Sequence, residues 1–109
     1  MRNSLGEFEE IVLLLVAAQH DNAYGLSITE AIENSLARQV TLSSVHTSLY
    51  RLEEKGFVRS RLGGASAIRG GRKKRLFTIT ASGKAVLKNA MDVRLKLWEM
   101  IPAFVMEEL

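Results

Sequence analysis

Seven basic residues and no acidic residue lie between positions 59 and 75 of the chain. Positive charges clustered in this way repel one another and do not stabilise the folded chain by themselves. Such a cluster therefore indicates an anionic binding partner. Arg and Lys side chains bind phosphates, and glycines between them let a loop follow a phosphate backbone. We therefore expect a loop that binds nucleic acid; the alternative is a solvated hairpin tip. The basic residues are Arg59, Arg61, Arg69, Arg72, Lys73, Lys74 and Arg75.

A second group of candidate contacts lies on a helix predicted over residues 42–55. Val45, Leu49 and Leu52 recur at helical spacing and form its apolar face. The first turn and the opposite face carry small polar and aromatic side chains, which can contact base edges and phosphates in a major groove. For any single residue, an ordinary polar surface explains the pattern equally well. With the basic loop, the candidate DNA contacts are Ser43, Ser44, His46, Thr47, Tyr50, Arg51, Arg69, Arg72, Lys73 and Lys74.

The charge distribution supports a polyanionic partner. The chain of 109 residues has a net charge of only +3. The net charge is −5 over residues 1–37, +8 over residues 38–75 and zero over residues 76–109. The basic third coincides with the predicted helix and the basic loop. Such asymmetry within a small protein is typical of nucleic-acid binding.

The residue types argue against several other classes of protein. The sequence lacks cysteine, which removes disulfides, thiolate nucleophiles and cysteine-based zinc sites. His20 and His46 have no carboxylate at ligand spacing, and no catalytic triad can be assembled, so we expect no metal, no cofactor and no enzyme activity. The longest apolar run, residues 11–18, is far shorter than the roughly 20 residues that cross a membrane. We expect a cytoplasmic protein.

The spacing of the apolar residues, together with the capping residues and glycines between segments, predicts the order helix, helix, helix, strand, long basic loop, strand and helix. The first helix is expected to start near Ser4, the second to be capped by Ser27, and the third by Ser43 or Ser44, with Gly56 ending the third. The fold class is therefore mainly α with a small β hairpin. Three helices and a hairpin form a winged helix-turn-helix, here with its wing at 63–74. The predicted domains are a DNA-binding unit at 1–80 and a C-terminal dimerisation helix at 81–109.

The last predicted helix carries two apolar stripes, more than one domain needs. One stripe includes Val86, Val93 and Leu97. We expect one stripe to pack on its own domain and the other to face a second copy of the chain, although both could serve the chain's own core. The candidate dimerisation residues are Leu87, Met91, Leu95, Trp98, Ile101 and Val105. Trp98 is also the candidate effector contact, as the wall of a cavity for a flat aromatic ligand; plain dimer core is the alternative.

These motifs resemble the PadR family of bacterial transcriptional regulators. The resemblance covers roughly residues 4–84 and rests on five segments: LGEFE at 5–9, Tyr24-Gly25, VHTSLYRLEEKGFV at 45–58, GGRKK at 70–74 and TITASG at 78–83. It implies a winged-helix repressor that dimerises through its C-terminal helix and often responds to phenolic acids or hydrophobic drugs. The chain departs from the family pattern at His46, where the family usually has Tyr, and at Tyr50, where it has a smaller polar residue.

The sequence therefore predicts a sequence-specific DNA-binding transcriptional regulator, a repressor released by a small hydrophobic or aromatic effector. Its expected partners are double-stranded operator DNA, a second copy of the chain and the effector. Two alternatives stay open: a winged-helix protein-interaction module, and a small-molecule sensor without direct DNA binding.

Overall fold

A computed structural model describes residues 5–63 and 73–107, and its main helices and strands, through α4, follow the order that the sequence predicts. Arg69 and Arg72, two of the predicted DNA contacts, lie outside the described residues. The structure confirms a mainly α fold with a small antiparallel hairpin. The elements are α1 (Glu7–Gln19), α2 (Gly25–Leu36), α3 (Leu42–Glu54), β1 (Val58–Gly63), β2 (Lys74–Ile79), α4 (Ala81–Glu99) and α5 (Ala103–Met106), with a 3-10 turn at His20–Asn22.

One apolar core joins α1, α2, α3 and the hairpin. The predicted inner face of α3, formed by Val45, Leu49 and Leu52, is completely buried. It packs against buried side chains of α1 and α2 and against Phe77 of β2. Burial of this face fixes the rotation of α3 about its axis, and so determines which of its side chains point outward.

The helix starts differ from the predicted ones. Thr41 precedes α3 with an extended backbone, and its hydroxyl accepts from the Ser44 amide at 3.0 Å, so Ser43 and Ser44 lie within the first turn and neither is the cap. Ser27 is likewise inside α2, where its hydroxyl accepts from the amide of Tyr24 at 2.9 Å. Helix α1 begins at Glu7, after Gly6, and Ser4, near which the sequence predicted its start, lies outside the described residues.

Gly56 ends α3 as predicted. Its φ of +83° is left-handed, a conformation that glycine adopts without steric cost. The amide of Phe57 donates to the Leu52 carbonyl at 2.9 Å and that of Gly56 to the Glu53 carbonyl at 3.0 Å. These two bonds form a Schellman motif, which turns the chain directly from α3 into β1.

The hairpin is tied to the helices at its base. β1 and β2 pair in register from Val58 with Ile79 to Gly63 with Lys74. Ala23, between α1 and α2, adds an isolated bridge to Phe77, whose amide donates to the Ala23 carbonyl at 2.8 Å. The base of the wing is therefore held against the segment that leads into α2.

Helix α4 leaves the core after its first turns. Val86 and Leu87 pack against the core, but every residue from 91 to 105 is exposed, so both predicted stripes face solvent beyond that point. The radius of gyration is 16.5 Å, against about 13 Å for a compact chain of this size. α4 ends at Glu99, Pro102 precedes the short α5, and the sequence did not predict α5. Within the described ranges, no helix is long and apolar enough to cross a membrane.

Candidate nucleic-acid interface

The outer face of α3 presents hydroxyl groups that already donate their protons in hydrogen bonds to backbone carbonyls. Thr47 donates to the Ser43 carbonyl at 3.0 Å, and Ser44 donates to the Thr41 carbonyl at 2.9 Å. Both side chains are exposed on α3. In this arrangement each hydroxyl offers lone pairs to an external donor, and Thr47 also offers a methyl group. These are features that can recognise an amino group or a thymine methyl on a base edge.

Arg51 lies between two open grooves that border α3. One groove, of about 520 Å³, is lined by Thr47, Tyr50, Arg51 and the two glutamates that end the helix. The other, of about 600 Å³, is lined by Ser44, Thr47, Arg51 and the start of α1. Arg51 is exposed on the second half of α3, a position suited to a phosphate beside a groove rather than to a base at its centre.

His46 occupies a different position from the other predicted contacts. It is half-buried, and its ring lies against Gly25 at the start of α2. A Cβ atom placed on Gly25 would lie 2.6 Å from Cδ2 of His46, closer than real Cβ atoms approach a neighbour. His46 therefore lies between the two helices of the helix-turn-helix, and glycine at position 25 leaves room for it.

Tyr50 forms the exposed end of an aromatic cluster. Its ring centroid lies 6.1 Å from that of His46 and 6.1 Å from that of Phe77, with interplanar angles of 39° and 64°. Phe77 is only 1% exposed, whereas Tyr50 is 49% exposed. Tyr50 thus connects the outer face of α3 to the buried base of the wing.

The hairpin carries a row of exposed basic side chains. Arg59 and Arg61 alternate along β1, and Lys74, the first residue of β2, pairs with Gly63, the last residue of β1. Residues that face each other across an antiparallel pair share one face of the sheet, so Arg59, Arg61 and Lys74 lie on the same face. All three are exposed, as is Lys73. Arg59 and Arg61 belong to the predicted basic segment but not to the predicted DNA contacts. Their alternation within a strand is the sequence signal that places them on one face.

The charges of the basic third are divided between two roles. Arg38 forms a bidentate pair with Glu7, at 3.1 and 3.2 Å, and Lys55 pairs with Glu9 at 2.8 Å. These two cations attach α1 to the neighbouring elements. In residues 5–63 and 73–107, no acidic oxygen lies within ion-pair distance of the others named here: Arg51, Arg59, Arg61, Lys73 and Lys74.

The acids of α1 also reach the last helix. Glu10 accepts from Arg94 of α4 at 2.7 Å. Glu7, Glu9 and Glu10 all lie in the first turn of α1, where they suit the positive end of its dipole. Their partners come from distant parts of the chain, which no local pattern reveals.

The predicted dimerisation residues lie on α4, on α5 and, for Ile101, between the two helices, and all but one are exposed. Leu87 is partly buried against the core of its own domain. Trp98, the candidate effector contact, is 59% exposed. The remaining exposed members of the predicted set are Met91, Leu95, Ile101 and Val105.

The described residues contain no group of three or more His, Asp or Glu side chains arranged to hold a metal ion. The geometry instead combines a helix with an exposed polar face, a basic hairpin beside it and a second helix supporting both. This is the arrangement of a winged helix-turn-helix DNA-binding protein. The chain belongs to the PadR-like transcriptional regulator family, whose sequence profile matches residues 12–89.

Solved structures share this fold. A PadR-like regulator from Bacillus cereus is 18% identical with a TM-score of 0.72, covering 91% of each chain. A Streptococcus mutans protein is 22% identical with a TM-score of 0.70, covering 98% of this chain and 94% of the other. Bacillus subtilis PadR in complex with operator DNA is 22% identical with a TM-score of 0.67, covering 78% of this chain and 46% of that one. A comparison with curated proteins found no match.

Proposed function

We propose that this transcriptional regulator is a homodimeric repressor that reads its operator with α3 and grips it with the wing. The observations that carry this proposal are the exposed Ser44, Thr47 and Arg51 on α3 and the exposed row of Arg59, Arg61 and Lys74 on the hairpin. Hydroxyl and aromatic groups on α3 suit base edges in the major groove, and the cations of the wing suit phosphates or the minor groove. The structure of Bacillus subtilis PadR with operator DNA supports this use of the fold.

The exposed apolar surface of α4 and α5 supports dimerisation. Trp98, Met100 and Phe104 are 59%, 71% and 71% exposed, and further large apolar side chains lie beside them. Monomeric soluble proteins rarely expose a continuous apolar surface of this kind. A second copy would cover it symmetrically, and a dimer would present two α3 helices to two half-sites.

We also propose that a small effector controls the DNA binding of the dimer. Trp98 lies on the surface that the second copy would cover, and its ring would line any space left between the two subunits. A flat aromatic or hydrophobic compound bound there would alter the packing of α4 and hence the separation of the two α3 helices. We expect some members of a panel of aromatic compounds to quench the fluorescence of Trp98. An unchanged spectrum across the panel would contradict an effector site at Trp98.

The test of the proposed function is a DNA titration followed by fluorescence anisotropy. The protein is titrated into a labelled fragment of the region upstream of its own gene, with unlabelled fragments of the same or of shuffled sequence as competitors. We expect the native fragment to compete at least about 10³-fold better, as specific sites do. Equal competition by both fragments, or no binding, would contradict sequence-specific regulation.

A further inference from the structure

The position of His46 between two helices raises the question of what its side chain does. Nε2 and Cδ2 both lie where a side chain at position 25 would begin, so the imidazole rests directly on the backbone of Gly25. The residue is half-buried, unlike Ser43 and Thr47 on the same helix. A side chain held in this way offers less of its surface to a base than the exposed Ser43 and Thr47 do.

Tyr50 lies one helical turn after His46 and is supported on two sides. One neighbour is the His46 ring and the other is the edge of Phe77, each with a centroid 6.1 Å away. Phe77 is itself fixed, because it is buried and its amide donates to the Ala23 carbonyl. Tilted aromatic pairs at such distances are favourable. The Tyr50 ring is therefore held in place while about half of the residue faces solvent.

We infer that His46 is a positioning residue, which determines base preference through Tyr50 and does not itself contact DNA. The inference rests on the proposed function, in which α3 enters the major groove. A contact side chain that is already ordered loses less conformational entropy on binding, so its support contributes to affinity and to the choice of sequence. Removal of the His46 ring leaves Tyr50 with one supporting neighbour instead of two.

A double-mutant cycle on DNA binding tests this role. We expect His46→Ala to weaken binding to the preferred DNA about 2- to 10-fold, the equivalent of one aromatic pair, and to change base preference at the position that Tyr50→Ala also changes. In a Tyr50→Ala background, His46→Ala is expected to have no further effect beyond twofold. The same loss in both backgrounds would mean that His46 contacts DNA by itself, and would overturn the inference.

A conservative variant separates ring packing from polar contact. His46→Phe keeps a flat ring against Gly25 but removes both nitrogens, so we expect it to retain the base preference of the native protein. A loss equal to that of His46→Ala would overturn the inference, because it would show that a nitrogen of His46 is required.

A measurement without DNA keeps the inference separate from the proposed function. The aromatic NMR resonances of Tyr50 report the neighbouring rings, and we expect them to shift in His46→Ala. The control Ser43→Ala, at an exposed position on the same helix, is expected to leave them unchanged. Unchanged Tyr50 resonances in a folded His46→Ala protein would overturn the positioning role, whereas absence of DNA binding by the native protein would overturn only the proposed function.

Discussion

The ammonium nitrogen of Lys74 lies 4.3 Å from the centroid of the Tyr24 ring. Lys74 is the first residue of β2, and Tyr24 directly precedes α2. A cation over an aromatic ring at an exposed site contributes about 0.5–1 kcal/mol. The contact holds the basic hairpin against the helix-turn-helix, so it couples the direction of the wing to the position of the helices.

Removal of this ring should weaken DNA binding without changing base preference. We expect Tyr24→Leu to raise the Kd for all DNA sequences about 2- to 5-fold, because the wing loses a contact worth about 0.5–1 kcal/mol. Tyr24→Phe keeps the ring and is the matched control, expected to bind like the native protein. Fluorescence anisotropy on the operator fragment and on unrelated DNA measures both. Equal affinities in all three proteins would mean that the contact does not orient the wing.

Thr47 and Lys73 are expected to contribute to binding in different ways. Thr47 presents a methyl group and hydroxyl lone pairs on α3, so Thr47→Ala should relax preference at one base pair, at a cost of about 1–3 kcal/mol on the preferred sequence. Lys73→Ala should weaken binding to every sequence alike and lower the salt slope by about one. Binding to a library of single base-pair changes distinguishes the two results. A uniform loss in Thr47→Ala would show that Thr47 reads no base.

A charge on the exposed surface of α4 should dissociate the proposed dimer. Trp98 is largely exposed within one chain, so Trp98→Glu should leave the domain folded but bury a charge in an interface between copies. Light scattering after size-exclusion chromatography should give the mass of one chain, with DNA affinity greatly reduced. Lys96→Gln, at an exposed polar position of the same helix, is the control. A native protein that is already monomeric at micromolar concentration would contradict the dimer.

Thr80 should contribute to stability through two hydrogen bonds. Its hydroxyl accepts from the Gly83 amide at 3.1 Å, which caps α4, and donates to the Gly56 carbonyl at 2.6 Å. We expect Thr80→Ala to lower the free energy of unfolding by about 2 kcal/mol, about 1 from the cap and about 1 from the second bond. Thr80→Ser retains the hydroxyl and should lose much less. Urea denaturation measures both, and equal losses would show that the hydroxyl is not the cause.

Local patterns in the sequence were sufficient for the order of the elements from α1 to α4, but not for α5 or for the helix caps. The apolar spacing of Val45, Leu49 and Leu52 predicted both α3 and its buried face, and Gly56 predicted its end. The cap was wrong because Thr41, Ser43 and Ser44 all carry a hydroxyl. Only the extended backbone at Thr41 decides which of them precedes the helix, and that depends on the turn from α2.

The sequence was sufficient to predict which residues of the candidate site are exposed on α3, but not which side chains they contact. Exposed Thr47 and Arg51 follow from the helical period once the inner face is known. The location of His46 against Gly25 depends on the crossing of α2 and α3, and the support of Tyr50 by Phe77 joins residues 27 positions apart. The pairing of Glu10 with Arg94 spans an even longer separation. These contacts arise from packing, which a single sequence does not encode in any local pattern.

The salt dependence of operator binding tests the central claim most directly. If the exposed cations of α3 and the wing bind phosphates, the logarithm of the association constant should fall linearly with the logarithm of salt concentration. Four or more phosphate contacts predict a slope of about −3.6 or steeper. Replacement of Arg72, Lys73 and Lys74 by Ala should make that slope shallower and weaken binding to all sequences alike. Binding that is absent, or that does not change with salt in the native protein, would contradict the account.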